Sequence, residues 1–247
     1  MSKPISPSAD CPNFKLWRRG YGVIGHTEIT CNRVQNLASR LVASGHQPDT
    51  ATVYRKLADL DRLTSAGLWL VVHMTYANRV DTSGTPLAAR DFKCAPEGHT
   101  GGALNMVPAY AAYLTLNNLT GHTRSWLMGQ GHCVAAIDAI NVLTGNLHPE
   151  QRERYTGTDG LSRMVADFYS YQQKPDGSTA VPLGSHVNPY TAGGIMEGGY
   201  LALLSCNTHT CHYPVNRWWR FFLTALLRSS AAVTGYPAGG ERKTVAW

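Results

Sequence analysis

Three short segments pair glycine with histidine: Glu97-Gly98-His99-Thr100-Gly101-Gly102, Gly129-Gln130-Gly131-His132, and Gly184-Ser185-His186 running on to Glu197-Gly198-Gly199-Tyr200. Glycine lets backbone come close to a ligand, and histidine supplies a donor, an acceptor or a proton carrier near neutral pH. A lone Gly–His pair is usually a structural turn. The same pairing three times within about a hundred residues is the layout of a pocket where several loops converge. Helix N-termini and glycine turns also present backbone N–H groups, which suit a diphosphate. Glycine loops leading into helices predict an α/β domain whose loops and helix N-termini face a ligand.

The remaining pattern fills in the elements. Cys31 to Ser44 reads as an amphipathic helix, with Val34, Leu37 and Leu41 on one face and Gly45 as its stop. Asp49 or Thr50 can cap a second helix, whose Val53, Leu57, Leu60 and Leu63 recur at helical spacing before Gly67. The apolar run Leu68 to Val72 fits either a buried strand or a continued helix. Gly102 to Asn118 predicts a helix starting at the first histidine loop, with Pro108 as a potential kink. Trp126-Leu127-Met128 is short enough for a strand. Val134 to Leu143 predicts a buried helix closed by Thr144-Gly145-Asn146, and Leu161 to Gln172 repeats the helical pattern until Lys174-Pro175-Asp176-Gly177 forces a turn.

Composition narrows the class. With 247 residues, 43% hydrophobic and 15% charged, the chain can bury a substantial core as a globular protein. No stretch approaches the roughly 20 apolar residues of a membrane span. Met1 to Pro12 carries no apolar signal core, and the six cysteines form no dense framework, so the expected compartment is the cytoplasm. The +6 charge and pI near 9.1 suggest nucleic acid at first sight. The tail from Leu201 holds Arg217, Arg220, Arg228, Arg242 and Lys243 against Glu241 alone, leaving +2 for the other 200 residues. Neither a nucleic-acid nor a membrane partner is expected.

The order and spacing of Glu97 to Pro108, Met128 to Cys133 and Gly184 to Tyr200 resemble the N-terminal cofactor domain of thiamine diphosphate enzymes of the phosphoketolase and transketolase kind. Gly184-Ser185-His186-Val187-Asn188-Pro189 with Gly194-Ile195-Met196-Glu197-Gly198-Gly199 looks especially like phosphoketolase. Ala95-Pro96-Glu97-Gly98-His99-Thr100-Gly101-Gly102 and Trp126-Leu127-Met128-Gly129-Gln130-Gly131-His132-Cys133 look closer to the branch labelled xylulose 5-phosphate 3-epimerase. The resemblance covers roughly Gly67 to Tyr200, and more loosely the segment from Gly20. It implies a domain over residues 20–200 with a parallel sheet flanked by helices, incomplete at its C-terminus, after an N-terminal extension at 1–19. It implies thiamine diphosphate with Mg²⁺ as cofactors, a sugar phosphate as substrate, and either a homodimer or a further C-terminal portion as partner. His99 would sit beside the reactive thiazolium carbon, and His186 would join the substrate-side cluster. Gly98, His132, Glu197, Gly198 and Gly199 would line the cofactor. The chain lacks the tryptophan-containing Gly–His loop that phosphoketolases carry upstream.

In these families a strand ending in an acidic-glycine turn follows the Glu-Gly-Gly-Tyr segment, and its aspartate holds Mg²⁺. Asp176-Gly177 comes too early, and the tail from Leu201 contains no aspartate, so no metal ligand is assigned. Read one base out of register, the codons for Pro214 to Trp247 are compatible with V-V-A-F-F followed by S-D-G, a strand and metal turn in the right order. Residues 201–247 are therefore expected to be an out-of-frame tail, and the chain to be inactive alone. This also removes Cys206, His209, Cys211 and His212 as zinc ligands and Arg217-Trp218-Trp219-Arg220-Phe221-Phe222 as a nucleic-acid or membrane motif. The competing readings are a non-catalytic binding or regulatory subunit that keeps the scaffold, and a basic nucleic-acid binder.

Overall fold

The computed structural model describes residues 11–124, 133–177 and 180–183. Seven α-helices follow one another there: α1 (Pro12–Arg18), α2 (Glu28–Ala43), α3 (Thr50–Tyr76), α4 (Thr100–Thr120), α5 (Ala135–Thr144), α6 (Pro149–Tyr155) and α7 (Gly157–Asp167). A 3-10 turn covers Ala89–Asp91.

The expected α/β domain with a parallel sheet is overturned. Among the described residues there is no sheet; strand-like pairing is confined to isolated bridges such as Ala77 with Phe92. Two physical reasons account for the difference. The apolar run Leu68 to Val72 lies inside α3, where Leu70 and Val71 are fully buried while Trp69 and Val72 stay exposed, so its burial follows a helix face and not a strand. Glycine turns here also end helices without leading to a strand: Gly121, and Gly145 in the expected stop, adopt left-handed φ of 67° and 70° and close α4 and α5. A left-handed glycine cap ends a helix whatever element follows it.

Helix α3 is the hub. At 27 residues it runs for about 40 Å and packs against α1, α2, α4, α5 and α7. Asp49 caps it, its Oδ1 accepting the Thr52 amide at 2.6 Å. Gly67 sits mid-helix at the crossing with α4 and α5. A Cβ there would lie 2.7 Å from Ile140 Cδ1 and 3.0 Å from Val107 Cγ1, so only glycine allows the three helices to close up. Leu70, Val71 and Met74 of α3, Val107 and Tyr110 of α4, and Ile137 and Ile140 of α5 form the centre of the core. Phe14 and Trp17 of α1 join the same core.

Several buried polar groups pair across the helices. Tyr110 donates to Asn141 Oδ1 at 2.9 Å, and Asn146 donates to the same oxygen at 3.0 Å. Gln47 Nε2 donates to the Leu119 carbonyl at 2.7 Å, satisfying the end of α4 from the loop after α2. No described helix is long and apolar enough to cross a membrane.

Candidate functional site

The N-terminus of α4 is built by the first histidine loop. Gly98 holds φ of 120°, a conformation that favours glycine, and turns the chain so that His99 becomes the helix cap. The His99 ring accepts the Gly102 amide at Nδ1, 2.9 Å away. That role fixes the neutral tautomer with its proton on Nε2, and it orients the ring over the first turn. The turn contains no acidic residue, and a Cβ at Gly101 would meet nothing within 4 Å. Thr100 Oγ1 donates to Thr75 Oγ1 at 3.0 Å, fixing this start against the end of α3.

Two other parts of the chain meet the loop. A Cβ on Gly102 would fall 2.6 Å from Cys133 Sγ, so the residue that leads into α5 lies directly against the first turn of α4. On the other side, a Cβ on Gly98 would lie 3.1 Å from Phe168 Cε1. The Tyr171 hydroxyl donates to Glu97, and Lys93 Nζ donates to the carbonyls of Met74 and Phe168 at 2.7 and 2.8 Å. Burial lowers the Lys93 ammonium to about 8. The lysine thus ties α3 to the segment that leaves α7.

That segment, Phe168 to Tyr171, walls a cavity of about 270 Å³ with Val134 and Asp138 of the α5 end. Tyr169 and Tyr171 adopt φ of 57° and 54°, a left-handed backbone that costs a bulky residue on the order of 1–3 kcal/mol. Asp138 is 5% exposed, and burial alone pushes its carboxyl up to about 7. Its neighbour on the cavity wall, Asp167, receives Arg154 Nε and Nη2 at 2.5 and 2.9 Å and the Tyr155 hydroxyl at 2.9 Å.

Of the residues expected from sequence, His99 and Gly98 stand together at this site. His132, His186, Glu197, Gly198 and Gly199 lie outside the described residues, as does the 201–247 tail. Sequence reasoning passed over Asp138, whose single acidic side chain in an otherwise apolar helix was the available signal. It also passed over a further Gly–His step, Gly25-His26. His26 Nε2 bonds Asp61 Oδ2 at 2.7 Å, both groups are buried, and Trp17 stacks on the imidazole with centroids 4.2 Å apart. Asp61 and Thr75 are separated by 14 positions of α3, or about 20 Å, so this pair lies near the middle of α3, away from the histidine loop. Among the described residues no group of three His, Cys, Asp or Glu side chains could hold a metal ion.

Residues 52–211 match the family described as the XFP N-terminal domain. The chain belongs to this family. Over 148 residues it is 28% identical to a "Probable phosphoketolase" of Lactococcus lactis subsp. lactis (strain IL1403). The alignment takes in 59% of this chain but 17% of that relative, so the chain spans a small part of the relative's length. The resemblance to a phosphoketolase N-terminal domain is borne out. No solved structure matches.

Proposed function

We propose that the chain is the N-terminal cofactor-side portion of a thiamine diphosphate-dependent enzyme acting on ketose phosphates, of the phosphoketolase kind or of the epimerase-labelled branch, and that it has no turnover alone. The observation that carries the reading is the α4 start at His99, which falls inside the family match. The local donor set fits a diphosphate: a helix N-terminus without acidic side chains, with open space beside Gly101, attracts an anion through its amides and dipole. The backbone at Thr100 and Gly101 would hold that group.

When bound, the cofactor supplies a nucleophilic carbon for addition to a carbonyl. The chain's own contribution is His99, whose Nε2–H is a donor for a substrate oxygen while Nδ1 is committed to Gly102. Protonation at Nδ1 would remove that acceptor, so with the cap intact the ring acts at Nε2 as a neutral hydrogen-bond donor. Glu97 and Tyr171 flank the loop and bond each other, which keeps the Glu97 carboxylate engaged beside the helix end.

The out-of-frame reading covers residues 201–247; the family match runs over its first residues to 211, and all the tail charges lie beyond that point. DNA sequence across these codons lacking an open shifted frame with the S-D-G turn would end it. The functional proposal is tested by calorimetric titration of the chain with thiamine diphosphate and Mg²⁺. No tight binding is expected to the isolated chain. In a longer enzyme that includes this segment, His99→Asn should abolish turnover while the protein stays folded. Full turnover by that variant removes His99 from the chemistry.

A further inference from the structure

We propose that the cavity between α5 and the Phe168–Tyr171 segment is a binding site for a small organic cation, held against the Asp138 carboxylate and the surrounding aromatic rings. Asp138 lines this cavity, and its Oδ2 is buried with no hydrogen-bond partner. Among the described residues no cation pairs with it. An uncompensated carboxylate in the interior is costly, and such groups are retained where something else supplies the missing charge. The adjacent Asp167 shows the contrast, since Arg154 and Tyr155 already satisfy it. A second orphan lies on the same wall: Ser170 Oγ is buried without a partner. The Asp138 carboxyl needs only a turn about its terminal torsion, which is soft, to present either oxygen to a guest.

The walls select the guest. Phe168 and Tyr169 meet edge-to-face with centroids 4.6 Å apart, and Tyr169 and Tyr171 do the same at 5.9 Å. Aromatic rings around a carboxylate are the chemistry of ammonium recognition, because ring faces attract a cation that the carboxylate neutralises. An anion would be repelled by Asp138. A neutral polyol would satisfy the hydrogen bonds but leave the charge uncompensated. The volume sits at the small end of ligand cavities, which start at about 300 Å³, so the guest is an amine with a short carbon chain. The strained tyrosines fit a segment held open for a guest. This inference stands apart from the thiamine diphosphate reading, since neither the helix start nor His99 takes part.

The test uses the full chain and n-butylammonium, with n-butanol as its neutral counterpart and xylitol as a polyol, each titrated by NMR. Butylammonium should bind at least tenfold more tightly than butanol, and Asp138→Asn should remove that preference while circular dichroism stays unchanged. Equal binding of amine and alcohol by the wild-type chain overturns the proposal without any variant. So does an Asp138-dependent response to xylitol but not to the amine, or an amine preference that survives Asp138→Asn.

Discussion

His99 closes the first turn of α4 with its own ring: Nδ1 accepts the Gly102 amide at 2.9 Å, so the residue expected to do chemistry is also the helix cap. The two roles separate by substitution. His99→Ala leaves the Gly102 amide without its acceptor and should cost about 1 kcal/mol. His99→Asn offers a carbonyl oxygen in its place and should cost a few tenths of that or less. Urea denaturation of the three chains measures the difference. Equal loss in both variants would show that the ring, and not the cap, holds the helix start.

The crossing at Gly67 predicts a larger effect. A methyl group there meets Ile140 Cδ1 at 2.7 Å and Val107 Cγ1 at 3.0 Å, and both belong to the packed centre. Gly67→Ala gains helix propensity of roughly 1 kcal/mol, but overpacking typically costs 1–3 kcal/mol. The net expectation is destabilisation, rescued in part by Ile140→Val, which shortens the clashing side chain. Thermal melting of the single and double variants checks this, and an additive loss would place the strain elsewhere.

Asp138 gives the protein a pH dependence of definite sign. Its carboxyl titrates near 7 in the fold because of burial and near 3.9 when unfolded, so between these values the native state holds more protons. Stability therefore falls as pH rises from about 4 to 7, by up to about 4 kcal/mol, and is flat with respect to this group above 7. Around the carboxyl, Asp167 is neutralised by Arg154 and bonded by Tyr155, and Tyr110 of α4 stays protonated, held at about 12 mainly by burial. None of these reverses the sign. Asp138→Asn should be the more stable chain at pH 8, with the gap closing by pH 4 in urea midpoints. A gap that widens on acidification contradicts the buried, unpaired carboxyl.

Much of the helical content was legible because its signals are local. The Asp49 cap, the Leu57 and Leu60 stripe, and the stop at Gly145 each depend on a few neighbouring residues, and each appears where the pattern puts it. The helix expected from Leu161 to Gln172 ends at Asp167 instead, because the following aromatic segment is drawn into the Lys93 and Glu97 contacts, which span more than 70 positions of sequence. The fold class failed for a related reason. A short apolar run looks the same in a central helix as in a buried strand, and only packing against α4 and α5 decides between them. At the site, Gly98 and His99 were legible because glycine next to histidine is itself a local sign. Asp138 was not, since the significance of one acid on an apolar helix depends on whether a partner reaches it from elsewhere in the chain.

Lys93 supplies the last test, because it joins α3 to the aromatic segment through two main-chain carbonyls, Met74 at 2.7 Å and Phe168 at 2.8 Å. Lys93→Met keeps an apolar stem of similar length but leaves both carbonyls without the ammonium. Half-buried carbonyls stripped of a charged donor cost on the order of 1–3 kcal/mol together, and the loss should appear locally before it appears globally. The Ser170 amide, bonded to the Asp167 carbonyl at 3.0 Å, reports on the segment directly. Its hydrogen exchange should accelerate at least tenfold in Lys93→Met, while amides in the middle of α2, which the lysine does not touch, keep their wild-type rates. Uniform acceleration across α2 and Ser170 would mean that the lysine supports the whole bundle and does not act as a latch on the Phe168–Tyr171 segment.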